Sequence, residues 1–147
     1  MQPVKLGVIG CGVIGKIHLG HASAAAHIDV VAVADRQRNI AQAAAEQLTG
    51  PRVYAAAEEL LADAEVEAVV LAMPAFIRTK LALAAFARGK HVLTEKPVAM
   101  NADEVRRMID ARGALTAACC SSRFRSYESA KLAAEFVASG ELGPLRV

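Results

Sequence analysis

Residues 4–15 read VKLGVIGCGVIG: a short apolar run, then a glycine-rich turn of the form GxGxxG that opens a helical pattern. This order is typical of the first strand, turn and helix of a dinucleotide-binding unit. In such a unit Gly10 makes the tight turn, Gly12 admits a diphosphate against bare backbone, and Gly15 lets the helix pack closely. The phosphates would meet unpaired N–H groups at the positive end of the helix dipole.

An acidic residue stands where such a unit requires one. The apolar run Val30–Ala34 ends at Asp35, which lies about 20 residues beyond the glycine turn. Its carboxylate would accept hydrogen bonds from the adenosine ribose hydroxyls and repel a 2′-phosphate, which favours NAD. Arg36 and Arg38 keep NADP open, because an arginine just beyond the acid can hold a 2′-phosphate. The same two arginines are equally well explained as solvated loop residues.

Apolar runs alternate with helical patterns along the rest of the chain. Strands are predicted at 4–9, 30–34, 52–54, 68–72, 91–94 and 115–120, and helices at 13–25, 39–48, 58–61, 79–88 and 128–139. A further helix is capped by Asn101, with Glu104 three residues later, and stops at Gly113. This alternation predicts an α/β fold with a doubly wound parallel sheet (Rossmann). We expect it to occupy 1–121, with 122–147 forming a connecting helix and the start of a truncated second domain.

Composition excludes several classes of protein. The 147 residues suit one domain with a real core, since 54% are hydrophobic and 22% charged. The net charge is only +2 and no basic block occurs, so we expect no nucleic-acid partner. No run approaches the roughly 20 apolar residues of a membrane span. Cys11, Cys119 and Cys120 lack metal-ligand spacing and suggest small buried hydrophobes in a reducing compartment. We therefore expect a cytoplasmic protein without a metal site.

A lysine follows the fifth predicted strand. Residues 91–94 are strand-like, and Glu95, Lys96 and Pro97 come next. In an open α/β sheet, ligands bind outside the carboxyl ends of the strands. An ammonium group at that edge can polarise a carbonyl oxygen or stabilise a developing alkoxide. Taken alone, the tripeptide is better explained as a polar turn.

These motifs together resemble the N-terminal domain of the Gfo/Idh/MocA family, which is named after glucose-fructose oxidoreductase, inositol 2-dehydrogenase and a rhizopine-catabolism protein. The resembling segments are, in order, GCGVIG at 10–15 with His18, VADR at 33–36, Met73-Pro74, AAFARGKHVLTEKP at 84–97, Arg123-Phe124 and SGELG at 139–143. The strand that runs into Glu-Lys-Pro is the most specific of them. The resemblance covers nearly the whole chain.

The resemblance implies hydride transfer between a nicotinamide ring and a sugar, polyol or related hydroxy compound. It implies that Lys96 is catalytic and lies beside the nicotinamide and the substrate, with Glu95 near the cofactor ribose. The full set of implied cofactor-binding residues is Gly10, Cys11, Gly12, Val13, Ile14, Gly15, Asp35, Arg36, Met73, Pro74, Glu95, Lys96, Pro97 and Arg123. His18 stands at a common family position, and we interpret it as a packing residue on the helix face.

The chain also departs from the family pattern. Many members continue Pro-Asn-x-x-His after the fourth strand, whereas this chain has Ala75 and Arg78 at those two positions. Ser121-Ser122 stands where an asparagine often precedes the Arg-Phe pair. We expect the family's C-terminal α+β substrate domain, which usually completes the catalytic group, to be absent or only begun in this sequence. We therefore expect residues 1–147 alone to bind dinucleotide with little or no turnover.

Two functions remain open at this stage. The first is the cofactor half of an oxidoreductase with a sugar-like or polyol-like substrate. The second is a non-catalytic dinucleotide-binding or regulatory module, since fold does not determine function. Lys96 favours the enzyme, because a sensor has no need of it. Apolar residues of the last segment predict a patch for self-association into a homo-oligomer: Phe124, Leu132, Phe136 and Val137.

Overall fold

The computed structural model describes residues 2–121 and 127–144 of the chain. The strands are β1 (Val4–Ile9), β2 (Ile28–Ala34), β3 (Arg52–Tyr54), β4 (Ala68–Leu71), β5 (His91–Thr94) and β6 (Ala117–Cys119). The helices are α1 (Val13–Ser23), α2 (Arg38–Ala45), α3 (Ala57–Ala62), α4 (Ala75–Phe86), α5 (Ala102–Arg112) and α6 (Glu128–Ala138). Strands and helices therefore alternate from one end of the described chain to the other.

The six strands form one parallel sheet in the order β3-β2-β1-β4-β5-β6. The chain starts at the centre of the sheet, winds outward to β3, and then returns to lay β4 on the other side of β1. This reversal creates a crevice at the carboxyl ends of β1 and β4, where ligands bind in such sheets. The predicted doubly wound fold is confirmed.

Helices cover both faces of the sheet, mainly with alanines on one face and with larger side chains on the other. On one face, alanines of α1 and α2 pack with Leu19 against buried valines of β1 and β2. On the other face, Leu60, Leu81 and Phe86 of α3 and α4 pack with Met108 of α5. Because the central strands are buried on both sides, they are apolar along their length rather than alternating. The predicted bounds of β1, β3 and β5 match the observed ones, although β3 is an edge strand without a buried residue.

The predicted start of α4 was wrong. The helix begins at Ala75, directly after Pro74 at its N-cap, and not at Thr79. Its first turn faces a cleft instead of the core, and the side chain of Phe76 is 71% exposed. No apolar period therefore marks this turn in the sequence. The ends of α1 and α2 come a few residues earlier than predicted, and β6 is shorter than the predicted 115–120.

The predicted cap of α5 is confirmed. Asn101 Oδ1 accepts the N–H of Glu104 at 2.9 Å, and Gly113 ends the helix with a φ of 53°. The carboxylate of Glu104 reaches back to the N–H of Met100 at 3.1 Å and accepts the hydroxyl of Thr79 at 2.7 Å. The cap therefore also ties α5 to α4.

Helix α6 stands apart from the core. None of its residues is buried among the described parts of the chain, and Leu132, Phe136 and Val137 are exposed on it. The apolar face predicted for this segment is therefore present. Phe124 and the predicted strand start at 145–147 lie outside the described residues, so the domain boundary at 121 and self-association stay predictions. Within residues 2–121 and 127–144, every helix falls short of the length and apolarity that crossing a membrane would demand.

Candidate cofactor site at the carboxyl edge of the sheet

The glycine turn is shaped by two close backbone approaches. Gly10 has a φ of +92°, and a Cβ added there would lie 2.5 Å from the carbonyl oxygen of Ala72. A Cβ on Gly15 would lie 1.8 Å from the carbonyl oxygen of Gly10. A Cβ on Gly12 would meet nothing within 4 Å. The outer two glycines are thus required by the protein's own packing, whereas the space beside Gly12 is open to a ligand.

Helix α1 offers the positive end of its dipole to this open space. Gly12 is its N-cap, and the first turn reads Val-Ile-Gly-Lys, without an acidic side chain. The first N–H groups of a helix have no partner within the helix. Anions are stabilised at such a terminus by these N–H groups and by the helix dipole. The side chain of Val13 is 79% exposed and that of Ile14 also faces solvent.

Asp35 is held against the glycine turn by its own carboxylate. Oδ2 accepts the N–H of Cys11 at 2.9 Å, and Oδ1 accepts the N–H of Gln37 at 2.9 Å. The acid at the tip of β2 is therefore fixed at the turn that opens α1. Each oxygen retains capacity to accept a further hydrogen bond.

A cleft of about 530 Å³ lies between these groups and the loop after β4. Of the residues predicted to bind the cofactor, the following line it: Gly10, Gly12, Asp35, Arg36, Met73 and Pro74. Further residues that line it were not predicted from the sequence, among them Glu58, Phe76 and Ile77. The only sequence signal for Phe76 was a large apolar residue shortly after Pro74.

Lys96 and Pro97 line a second cleft, of about 330 Å³, between α5 and the strands β5 and β6. Its walls are mainly apolar side chains such as Val105, Met108 and Ile109. The two clefts share no lining residue, so the predicted cofactor-binding residues Glu95, Lys96 and Pro97 do not line the 530 Å³ cleft. Lys96 itself is exposed, just beyond the carboxyl end of β5.

His18 is a polar partner of Glu95, so the packing role predicted for it was wrong. Its Nε2 lies 3.0 Å from Glu95 Oε1, and the side chains are 17% and 16% exposed. Glu95 Oε2 accepts the N–H of Lys96 at 3.1 Å. Burial would raise the pKa of Glu95, but hydrogen bonds from His18, the Lys96 N–H and Cys120 outweigh it and lower that pKa. The carboxylate is therefore the stable form at this position.

Arg78 joins the loop after β4, which carries Met73 and Pro74, to the loop that carries Lys96. It is only 3% exposed, and its guanidinium donates to the carbonyl oxygens of Met73, Glu95 and Pro97, at 2.6 Å for Glu95. Burial lowers the pKa of Arg78. Among the described residues, its Nε has no hydrogen-bond partner. The sequence showed only that Arg78 replaces a histidine common in the family, and no local pattern revealed this bridging role.

The three cysteines differ in their surroundings. Cys11 is fully buried, and burial together with the charge of Asp35 raises the pKa of its thiol to about 11. It remains a neutral, small core residue, as predicted. Cys119 and Cys120 are only partly buried, so the same prediction was wrong for them. Cys119 Sγ lies 3.8 Å from the carbonyl oxygen of Glu95. Arg123 lies outside the described residues, and its predicted role stays a prediction.

With this geometry established, comparison with known proteins identifies the family. A family model described as an oxidoreductase family with an NAD-binding Rossmann fold matches residues 4–120. The chain belongs to the Gfo/Idh/MocA oxidoreductase family. It corresponds to the N-terminal NAD-binding Rossmann domain of this family, as the sequence motifs predicted.

Three relatives indicate how far the match extends. The chain is 36% identical to an uncharacterized oxidoreductase, ORF334, of Rhizobium meliloti, covering 99% of this chain and 44% of that protein. It is 38% identical to inositol 2-dehydrogenase 2 of Saccharopolyspora erythraea, covering 74% and 32%. The structure of KijD10, a 3-ketoreductase from Actinomadura kijaniata in complex with NADP, matches with a TM-score of 0.86 and 27% identity, covering 99% and 47%. The chain thus spans less than half the length of each relative.

Proposed function

We propose that this chain is the cofactor-binding half of an oxidoreductase that transfers a hydride to or from a sugar, polyol or related hydroxy compound. The observation that carries the proposal is the contact between Asp35 and the glycine turn, 2.9 Å from Oδ2 to the N–H of Cys11. This contact sets a carboxylate beside an uncapped helix N-terminus within one cleft. The two groups suit the two polar parts of an adenine dinucleotide, the ribose hydroxyls and the diphosphate.

The residues of the 530 Å³ cleft fit such a ligand from end to end. The N–H groups after Gly12 would hold the diphosphate. The space in front of them is open because Gly12 has no side chain to fill it. Asp35 would accept the ribose hydroxyls with its remaining lone pairs. Met73 and Pro74 would form the wall on the nicotinamide side, held in place by Arg78 through the Met73 carbonyl.

Lys96 is the residue that we propose for the chemistry. When bound, the nicotinamide ring supplies or accepts the hydride. Lys96 would bind and polarise the reacting oxygen, since an ammonium stabilises the negative charge that develops there. The backbone of its loop is fixed on both sides, by the Glu95 carboxylate on the Lys96 N–H and by Arg78 on the Pro97 carbonyl. Inositol 2-dehydrogenase and the 3-ketoreductase among the relatives support a sugar-like or polyol-like substrate.

We propose NAD as the preferred cofactor, with NADP as the alternative. The charge of Asp35 opposes a 2′-phosphate at the end of the cleft where the adenosine ribose would lie. Arg36 lines the same cleft and is the residue through which NADP would still bind.

Replacing Asp35 with serine tests the cofactor proposal. We expect the unmodified chain to enhance the fluorescence of NADH, and the Kd for NADH to rise at least about tenfold in D35S. Discrimination between NADH and NADPH should shrink, because the repulsion of the 2′-phosphate is removed. The matched control is Asp110→Ser, which changes an exposed acid on α5 and should leave both Kd values unaltered. A folded chain that binds neither dinucleotide would contradict the proposal.

Replacing Lys96 with alanine tests the catalytic role proposed for this residue. We expect polyol-dependent formation of NADH, followed by its absorbance over long incubations, to fall by about 100-fold or more in K96A. The Kd for NADH should change little, because the phosphates and the adenosine ribose are held elsewhere. Lys80→Ala, on an exposed site of α4, is the control. If K96A lost only cofactor affinity and kept its turnover, the catalytic role proposed for Lys96 would be refuted.

A further inference from the structure

Three side chains that can ligate a metal ion converge at the carboxyl edge of the sheet. They are His18 of α1, Glu95 directly after β5, and Cys120 directly after β6. His18 Nε2 lies 3.0 Å from Glu95 Oε1, and Cys120 Sγ lies 4.0 Å from His18 Nε2. All three ligand atoms lie within 4.8 Å of one another. We propose that His18, Glu95 and Cys120 form a binding site for a zinc-like divalent cation.

The distances suit a tetrahedral ion. Zinc bonds to imidazole nitrogen, carboxylate oxygen and thiolate sulfur are about 2.0 to 2.3 Å long, so neighbouring ligand atoms of a tetrahedral site lie roughly 3.3 to 3.8 Å apart. The observed 3.0 Å and 4.0 Å fall on either side of that range. Since all three ligand atoms lie within 4.8 Å of one another, side-chain shifts of up to about 1 Å would admit the ion.

The donor set selects the class of ion. One imidazole, one carboxylate and one thiolate are ligands that zinc prefers, whereas magnesium and calcium favour oxygen alone. Three protein ligands leave a fourth position for water, as in open zinc sites. On binding, the thiol proton of Cys120 would pass to solvent, and the ion would replace the hydrogen bonds that now link the three side chains.

The site is held by the fold rather than by a flexible loop. Its ligands come from a helix and from the first residues after two adjacent strands of the sheet. The carbonyl of Glu95 is anchored by Arg78 at 2.6 Å, which fixes the backbone from which one ligand projects. The positive charge of Arg78 repels a bound cation. The negative charges of the Glu95 carboxylate and the Cys120 thiolate compensate, because together they balance the two positive charges of the ion.

Cobalt(II) is the probe that tests this site, because its spectrum reports thiolate ligation and geometry. The chain, freed of metal by a chelator and kept reduced, is titrated with Co²⁺. We expect one equivalent to bind, with a thiolate-to-cobalt charge-transfer band and the visible bands of tetrahedral cobalt, both removed by Zn²⁺. In Cys120→Ser the charge-transfer band should vanish and the Kd for Co²⁺ should rise at least about tenfold.

Cys119 provides the matched control. Cys119→Ser removes the adjacent thiol and should leave the cobalt spectrum unchanged, while His18→Asn should weaken binding without changing the circular dichroism of the fold. The proposal is overturned if Co²⁺ gives no thiolate band, or if the band survives Cys120→Ser and is lost in Cys119→Ser. Binding of NADH is measured separately on the same samples, so that a failure of the metal site and a failure of the proposed cofactor function are distinguished.

Discussion

Gly15→Ala is expected to abolish detectable dinucleotide binding and to destabilise the fold. The added Cβ would lie 1.8 Å from the carbonyl oxygen and 2.8 Å from the carbonyl carbon of Gly10. Both atoms belong to backbone, so no side-chain rotation relieves the clash. Either α1 moves away from the sheet or the turn at Gly10 opens, and each displaces the N–H groups proposed to hold the diphosphate. Overpacking of this kind costs about 1–3 kcal/mol of unfolding free energy.

Gly20→Ala is the matched control, because Gly20 lies in the same helix and faces solvent. A Cβ there would meet nothing within 4 Å. Alanine in an exposed helix position should raise stability by about 0.5–1 kcal/mol relative to glycine. Thermal unfolding followed by circular dichroism should therefore move the two variants in opposite directions, and in NADH fluorescence titration only G15A should lose affinity. A G15A chain that melts and binds NADH like the unmodified chain would show that the glycine is not required.

Arg78→Met is expected to lower the unfolding free energy by at least about 2 kcal/mol. The substitution keeps much of the apolar stem but removes the guanidinium that donates to the carbonyls of Met73, Glu95 and Pro97. Partly buried acceptors that lose their donor cost stability, and three carbonyls lose the guanidinium at once, with only the Cys119 thiol left 3.8 Å from that of Glu95. The loop after β4 and the Glu-Lys-Pro loop should also lose their fixed position relative to each other. Any turnover should therefore fall along with stability.

Arg88→Met serves as the control for Arg78. Arg88 lies on the surface just after α4 and donates to the carbonyl of Ala84 at 3.1 Å. Its replacement should change the unfolding free energy by no more than about 0.5 kcal/mol. Denaturant unfolding measures both variants. Equal, small losses of unfolding free energy in R78M and R88M would mean that water replaces Arg78 as the donor to the three carbonyls. That result would refute the bridging role.

Much of the fold and part of the site could be predicted from short sequence segments. The turn at Gly10 and Gly15, the acid at Asp35 and the strands that flank them are local features with a regular spacing. Continuous apolar runs predict buried parallel strands, and the alternation of strand and helix then restricts the winding to one hand. Where a segment faces a cleft, as the first turn of α4 does, no apolar period exists to mark its start.

The sequence by itself determined the Rossmann fold, the glycine turn and its acidic partner, because each depends on neighbours within one βαβ unit. Only the tertiary structure brought His18 to Glu95, 77 positions away, and to Cys120, 102 positions away. The tertiary structure also directs the side chain of Arg78 inward, where it donates hydrogen bonds to carbonyls of two loops. The physical reason is that a parallel sheet gathers the carboxyl ends of all its strands at one edge, whatever their distance along the chain. Which polar side chains then meet depends on strand order and packing. Neither of these produces a pattern in the sequence around the residues that meet.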